Sequence, residues 1–165
     1  MLPNASYSIF QSENFIVEAV ERPLVDRDDG GHIVINPIVS IADRQQLTPR
    51  EAIEFMRLSI VAGQALSTVM KKNGVNVGRV NYQDNGNWSV FKPEGPVFHL
   101  HLYGRAVDAR YQKYGQACYF PHRDEQPEFY SSLKPLEDAD IQDMRDEIQR
   151  LLMLEKFSDA IWGLK

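Results

Sequence analysis

The sequence predicts a single α+β domain, and three observations carry this prediction. Its 165 residues suit one domain with a sizeable core. Segments rich in β-branched residues occur before and after one long amphipathic stretch, and a second amphipathic stretch lies near the end of the chain. No internal repeat, low-complexity tract or linker interrupts this order. We therefore expect one domain over residues 1–165.

Four segments have the composition of β-strands: Asn14–Val20, His32–Ile35, Val77–Gln83 and Val97–Tyr103. The glycine pair Gly30-Gly31 directly precedes the second of them. Because glycine tolerates backbone conformations that other residues avoid, this pair predicts a tight turn or a close backbone approach just before His32.

Two helices are predicted. The first begins at Thr48-Pro49-Arg50-Glu51, a capping box with proline at the first helical position, and ends at Lys71-Lys72 before Asn73-Gly74. The second is expected over Asp138–Phe157. Apolar residues recur at helical spacing in the first helix, and we expect them to form its buried stripe: Ile53, Met56, Ile60, Gly63 and Met70, widened by Phe55, Ala62, Leu66 and Val69.

Composition narrows the class of protein. With 43% apolar and 25% charged residues, the chain has the composition of a soluble globular protein. Its net charge of -5 argues against a nucleic-acid or anionic-membrane surface, although a small phosphorylated ligand needs only a local site. No signal peptide or membrane span is expected, and the single cysteine, Cys118, favours a reducing compartment. We therefore expect a cytoplasmic protein.

The segment FHLHLYGR, residues 98–105, concentrates chemically capable side chains. On a strand, Phe98, Leu100 and Leu102 share one face, which suits a core. The other face carries Val97, His99, His101 and Tyr103. Three interpretations compete for the histidines: a solvated polar face, a metal site, and nucleophilic catalysis on phosphorus.

The metal interpretation has the weaker support. An H-x-H strand can bind one metal ion, as in cupins, but cupins place a glutamate a few residues further on. Here no carboxylate follows until Asp108, and Arg105 would repel a cation. We therefore expect no metal and no cofactor. Catalysis on phosphorus needs a neutral imidazole, a group that orients it and donors around the phosphoryl oxygens.

The same residues resemble the histidine triad (HIT) signature, H-φ-H-φ-H-φ-φ, where φ is an apolar residue. Upstream, GHIVINP at 31–37 resembles the histidine-led strand of that superfamily, and VNYQDNG at 80–86 resembles the strand and turn that precede its triad. The predicted first helix falls where the superfamily has its long helix. The likeness spans Phe15 to Arg105, and the order of the segments is more specific than any one motif.

The resemblance implies a HIT-like α+β fold: an antiparallel sheet of about five strands with a long helix packed on it and an additional C-terminal helix. It places the core at about residues 7–110 and makes about 111–165 a C-terminal extension. It also implies a homodimer joined through the helix and the sheet edge.

Site roles follow from the same resemblance. His101 matches the middle histidine, the nucleophile that attacks an α-phosphate and forms a transient nucleotidyl-histidine. His99 matches the first histidine, which orients the nucleophile, and His32 matches the upstream histidine. Gln83 matches the amide that contacts phosphate or ribose, with Asn81 as a second candidate.

This sequence departs from the signature at three points. Tyr103 stands in place of the third histidine and would have to support protonation of the leaving group, for which a phenol is a poor acid at neutral pH. Glu94-Gly95-Pro96 replaces the usual G-Q-S/T. An insertion at 87–94 lengthens the loop before the triad, where Lys92 could restore a phosphate contact and Trp88 could stack on a base.

Other residues near these segments are weaker candidates. Arg105 could reach a phosphate. His122 could replace the missing histidine, but an exposed loop position is the favoured interpretation. Asp26, Asp28 and Asp29 could approach a ribose, but a solvated acidic loop is favoured.

The function predicted from the sequence is a nucleotide hydrolase or transferase acting at an α-phosphate. Its substrate would be a small nucleotide, either a dinucleoside polyphosphate or a nucleotide phosphoramidate. The alternative is a nucleotide-binding module that has the fold but little or no activity.

Overall fold

A computed structural model describes residues 7–84, 86–93 and 95–165. Five strands form one antiparallel sheet: β1 (Ser8–Gln11), β2 (Phe15–Ala19), β3 (His32–Pro37), β4 (Val77–Asp84) and β5 (Leu100–Ala106). Their order across the sheet is β1-β2-β3-β5-β4, so β1 and β4 are the edges. The predicted α+β fold with an antiparallel sheet is confirmed. The sequence prediction missed β1, whose four residues are too few to show a clear alternation.

Helix α1 (Pro49–Lys72) begins with the predicted capping box. The Thr48 hydroxyl accepts a hydrogen bond from the Glu51 N–H at 3.3 Å, and the Glu51 carboxylate accepts one from the Thr48 N–H at 2.8 Å. These bonds satisfy backbone donors that the first turn of a helix leaves without partners. The helix ends at Lys72, as predicted.

The predicted buried stripe of α1 is partly wrong. Ile53, Met56 and Ile60 are exposed, while Phe55, Ala62, Leu66, Val69 and Met70 are buried as expected. Met56 and Ile60 line a groove with Tyr82 of the edge strand β4. Met56 and Ile60 therefore belong to the side of α1 that faces the sheet edge, where no other strand of the described residues covers them.

The C-terminal extension contributes three helices: α2 (Pro127–Ser131), α3 (Asp138–Leu152) and α4 (Asp159–Trp162). Helix α3 packs on α1 and β1 and buries Ile141, Met144, Ile148 and Leu151. It stops five residues short of the predicted end, because Leu154 is extended and Glu155–Phe157 form a separate 3-10 turn. No helix in the described part of the chain is both long and apolar enough to cross a membrane.

The two faces of the sheet have different partners. Helices α1 and α3 cover one face, where Phe98, Leu100 and Leu102 enter the main core as the alternation predicts. The opposite face carries the histidines. Part of it is covered by the extension, since Tyr103 packs with Leu24 and Val25 in a second apolar cluster that Cys118 and Phe120 border.

The acidic loop before β3 is only partly solvated, whereas a solvated loop was expected, because Asp26 and Asp29 are buried. The buried Asp29 carboxylate accepts hydrogen bonds from three consecutive backbone N–H groups, those of residues 110–112, at 2.6, 2.7 and 2.9 Å. Asp26 is also buried and accepts from the Lys134 N–H at 2.8 Å. Asp28 is exposed and pairs with the Lys134 ammonium group. These carboxylates hold the extension against the loop.

Gly30 brings this loop against β5. Its φ of 134° is unfavourable for other residues, and a Cβ atom there would overlap the backbone of Gly104. The Gly104 N–H donates to the Gly31 carbonyl at 3.0 Å. The close backbone approach predicted from the glycine pair is confirmed, and it places His32 beside β5.

Candidate active site

The strand register brings the predicted site residues to one face of the sheet. His32 lies opposite Tyr103 in the β3–β5 pair, and Gln83 lies opposite His101 in the β4–β5 pair. Residues that face each other across antiparallel strands point to the same side. The ring centroids of His99 and His101 are 4.6 Å apart, and those of His32 and His101 are 5.0 Å apart.

A chain of hydrogen bonds fixes the protonation of two histidines. The Leu24 backbone N–H lies 3.1 Å from His32 Nδ1, and His32 Nε2 lies 2.8 Å from His101 Nδ1. Because a backbone N–H can only donate, His32 Nδ1 carries no proton. Neutral His32 therefore carries its proton on Nε2 and donates it to His101 Nδ1. Neutral His101 must then carry its own proton on Nε2.

His99 has the opposite arrangement. Its Nδ1 lies 2.8 Å from the Val97 carbonyl oxygen, which can only accept. The proton of neutral His99 is thus on Nδ1, and its Nε2 has a free lone pair. Two neighbouring imidazoles therefore differ in chemistry: His99 offers an acceptor or nucleophile, and His101 offers a donor.

Burial favours the neutral form of the two coupled rings. It lowers the pKa of His101 to about 4, with a further contribution from the nearby His99. His32 is 2% exposed, and burial, followed by His101 and His99, lowers its pKa well below its usual value. Both rings are consequently neutral at pH 7, which is the state that the tautomer argument requires.

The histidines line a pocket of about 260 Å³, which we call the histidine pocket. Three cationic side chains line it with them, and no carboxylate does so among the described residues. The lining residues are Val20, Arg22, Leu24, His32, Ser89, Lys92, His99, His101 and Arg123. Arg22 and Lys92 form no ion pair with any described residue. Such a site suits a ligand with several negative charges.

Sequence reasoning identified Lys92 as a pocket cation but missed Arg22 and Arg123. Arg22 lies in the polar connection after β2, where nothing in the sequence separates it from neighbouring surface charges. Arg123 directly follows His122, the residue considered from the sequence as a substitute histidine. His122 is exposed and does not line the pocket, whereas Arg123 does.

Two of the predicted site residues are buried and do not line the histidine pocket. Arg105 is 3% exposed, and its guanidinium group donates to the carbonyls of Lys113 and Gln116 at 3.0 and 2.9 Å. These donors are therefore directed to the extension and not to the histidine pocket. Tyr103 is 0% exposed and packs between His101 and Phe120, at centroid distances of 5.5 and 5.2 Å. Its phenol has no access to a leaving group.

The remaining candidates that the structure describes do not line the histidine pocket. Gln83 is exposed beside His101 without lining the pocket, and the Asn81 amide is 3.9 Å from Cys118 Sγ beneath the extension. The Trp88 side chain and Glu94 lie outside the described residues. Among residues 7–84, 86–93 and 95–165, no group of three or more His, Cys, Asp or Glu side chains is positioned to hold a metal ion.

Comparison with known proteins identifies the fold. No family model and no curated protein matches the sequence. The structure is similar to a hypothetical histidine triad nucleotide-binding protein from Sulfolobus tokodaii, with a TM-score of 0.55, 14% identity, and coverage of 88% of this chain and 85% of that one. It is also similar to a Hit-like protein from Bartonella henselae involved in cell-cycle regulation, with a TM-score of 0.54, 9% identity and coverage of 86% and 85%.

A zinc-bound histidine triad family protein from Mycobacterium smegmatis gives a TM-score of 0.50 at 18% identity, with coverage of 87% of this chain and 84% of that one. At such identities the similarity establishes the fold. This chain has the α+β architecture of histidine triad proteins.

Proposed function

We propose that this protein is a nucleotide hydrolase or transferase that acts at an α-phosphate through a nucleotidyl-histidine intermediate. One observation carries the proposal: His99, whose neutral tautomer has a free Nε2 lone pair, lies beside His101, whose neutral tautomer has an Nε2 proton, in a pocket lined by three cations. Nucleophilic attack on a phosphate ester needs this combination.

The hydrogen bonds favour His99 as the nucleophile in place of His101, the residue implied by the resemblance to the HIT signature. His101 Nε2 carries a proton in the neutral state and has no lone pair with which to attack. His99 Nδ1–H donates to the Val97 carbonyl, which fixes the tautomer and stabilises the positive charge that forms on the ring when Nε2 is phosphorylated.

The HIT signature fits this assignment when it begins two residues earlier. It then covers Val97 to Tyr103, with His99 in the middle position, His101 in the third, and Leu102-Tyr103 as the final apolar pair. The absent histidine is the first one, replaced by Val97. The contact made by position 97 comes from its backbone carbonyl, which valine retains.

The reaction proceeds in two steps. The His99 Nε2 lone pair forms a bond to the α-phosphorus, and the bond between phosphorus and the leaving group breaks with its electron pair on the leaving atom. Water then attacks the same phosphorus. The N–P electron pair returns to His99, the water proton passes to solvent, and a nucleoside monophosphate is released. Another acceptor in place of water would make the protein a transferase.

His101 acts in this scheme as a hydrogen-bond donor to the phosphoryl oxygens. Its Nε2–H can stabilise the negative charge that grows in the transition state, and Lys92 can do the same from the inserted loop. His32 is a positioning residue, because it holds the His101 tautomer from the buried side.

Release of nucleoside monophosphate from a panel of nucleotide conjugates tests this proposal. We expect His99→Asn to lower turnover by about a thousandfold or more, as for other covalent nucleophiles. His101→Asn should lower it by about a hundredfold, as for loss of a charge-stabilising donor. Equal turnover in wild type and His99→Asn would contradict the proposal. Binding without release, equal in both proteins, would favour the alternative of a nucleotide-binding module.

We also propose that the protein is a homodimer joined through α1 and β4. Among the strands of the described residues, β4 has no neighbour on its outer side, and Met56, Ile60 and Tyr82 expose apolar surface beside it. Light scattering should give twice the chain mass for wild type and the single mass for Met56→Glu. A wild-type monomer would contradict this arrangement.

The free thiol of Cys118 supports a cytoplasmic location.

A further inference from the structure

The histidine pocket adjoins a second pocket of about 400 Å³, and both are lined by Arg22 and Arg123. We call the second one the extension pocket, because Pro127, Tyr130, Ser131 and Leu133 of the C-terminal extension form much of its wall. Since the two arginines belong to both linings, a ligand that reaches from one pocket into the other must pass them.

The shared wall is cationic and partly fixed in place. The Arg123 guanidinium lies 4.4 Å from the centroid of the Tyr130 ring, and the Tyr130 hydroxyl donates to the Pro121 carbonyl at 2.8 Å. Stacking on an aromatic ring restrains an arginine while leaving its N–H groups available for an anion. Arg22 forms no ion pair with any described residue. Glu21 also lines the extension pocket, but only the two arginines line both pockets. The passage between the pockets therefore favours a negatively charged group.

The protonation of the histidines points to the same kind of leaving group. An amine or alkoxide must take a proton as it leaves, but neutral His101 would have to become an anion to supply one. A phosphate leaving group departs as an anion at pH 7 and needs charge stabilisation instead. Arg22 and Arg123 can provide this stabilisation on the side of the histidine pocket that leads to the extension pocket.

We infer that Arg22 and Arg123 form a leaving-group subsite for a polyphosphate chain, and that the extension pocket receives the group at the far end of that chain. This inference rests on the proposed function and selects one of its two substrate classes. It favours a two-headed polyphosphate over a phosphoramidate, whose leaving amine carries no negative charge. It also means that the extension helps to select the substrate, in addition to packing against the sheet.

The kinetic test compares Arg123→Gln with Arg110→Gln. Both remove an exposed arginine that lies over a tyrosine ring in the extension, but only Arg123 lines the pockets. The substrates are diadenosine tetraphosphate and adenosine 5′-phosphoramidate. For Arg123→Gln, we expect the loss of kcat/KM on the tetraphosphate to exceed the loss on the phosphoramidate about tenfold, as for one charged hydrogen bond. Arg110→Gln should have the same kcat/KM as wild type on both substrates. Equal losses on both substrates would overturn the inference.

A binding test separates this inference from the proposed function. Inorganic tripolyphosphate is titrated into wild type, Arg123→Gln and Arg110→Gln by calorimetry, which requires no turnover. Affinity about tenfold weaker in Arg123→Gln alone would support the subsite even if no substrate were cleaved. Equal affinity in all three proteins would overturn the subsite even if His99-dependent cleavage were observed.

Discussion

The histidine-bearing face of β5 has two halves, one open to a pocket and one covered by other parts of the chain. His99 and His101 form an open half that borders the pocket, whereas Tyr103 and Arg105 form a closed half beneath the extension. All four polar residues alternate along the same segment, so the local sequence treats them alike. They differ in their contacts with the extension and with Leu24 and Val25. Strand alternation therefore predicts which side of the sheet a residue faces but not whether that side is covered.

The hydrogen-bond partners differ between the halves in the same way. Arg105 satisfies most of its donors on carbonyls of the extension, and one of them lies 3.3 Å from Cys118 Sγ. The histidines of the open half each keep one nitrogen, Nε2, that bonds to no described residue. A polar residue with its bonding capacity fulfilled has a structural role, and one with capacity left over can bind a ligand.

The largest predicted effect on stability comes from removing the Tyr103 side chain from the closed half. Tyr103→Ala should lower the free energy of unfolding by about 3–5 kcal/mol, because a large aromatic side chain is removed from a fully buried site. Tyr103→Phe keeps the ring and should retain turnover close to that of wild type. Urea unfolding and nucleotide release check the pair of variants. Loss of turnover in folded Tyr103→Phe would show that the phenol takes part in catalysis.

A smaller effect is expected at the buried charge of the closed half. Arg105→Met preserves most of the side-chain volume but leaves the carbonyls of Lys113 and Gln116 without their donor. The free energy of unfolding should fall by about 2–3 kcal/mol. Tripolyphosphate affinity at a temperature where the variant is folded should match wild type. Weakened affinity in the folded variant would place Arg105 in the binding site after all.

The smallest effect, taken per pH unit, concerns the open half. Burial makes His32 and His101 bind a proton more weakly in the folded protein than in the unfolded chain. The contribution of these two histidines to the free energy of unfolding is therefore constant above their unfolded pKa of about 6.5. It decreases as the pH falls toward about 4, the folded pKa of His101. The slope should reach about 1.4 kcal/mol per pH unit for each histidine. Urea unfolding of wild type and His101→Asn between pH 7 and pH 5 checks this, and an identical slope in the two proteins would contradict it.

Local patterns in the sequence predicted the elements that depend on local physics. The capping box at Thr48, the glycine approach at Gly30 and the core face of Phe98, Leu100 and Leu102 all follow from interactions within a few residues or from strand alternation. The end of α3 and the strand β1 were less accessible, because a frayed helix end and a four-residue strand leave weak signals.

Which residues line the site could not be predicted from local sequence patterns, because it depends on contacts formed only in the folded chain. Asp29 binds backbone groups at residues 110–112, more than eighty positions away, and this contact helps to hold the extension over the sheet. That placement buries Arg105 and brings Arg123 to the pocket. Likewise, the choice between His99 and His101 depends on the Leu24 and Val97 backbone groups, whose positions appear only in the folded chain.

Mapping the covalent intermediate tests the central claim most directly. Wild type and His101→Asn are mixed with diadenosine tetraphosphate, quenched in alkaline denaturant to preserve a phosphorus–nitrogen bond, digested, and analysed by mass spectrometry. The account predicts a nucleotidyl group on His99 in both proteins, formed more slowly in the variant. An adduct on His101 in wild type, absent from His101→Asn, would contradict the assignment of the nucleophile and the tautomer argument on which it rests.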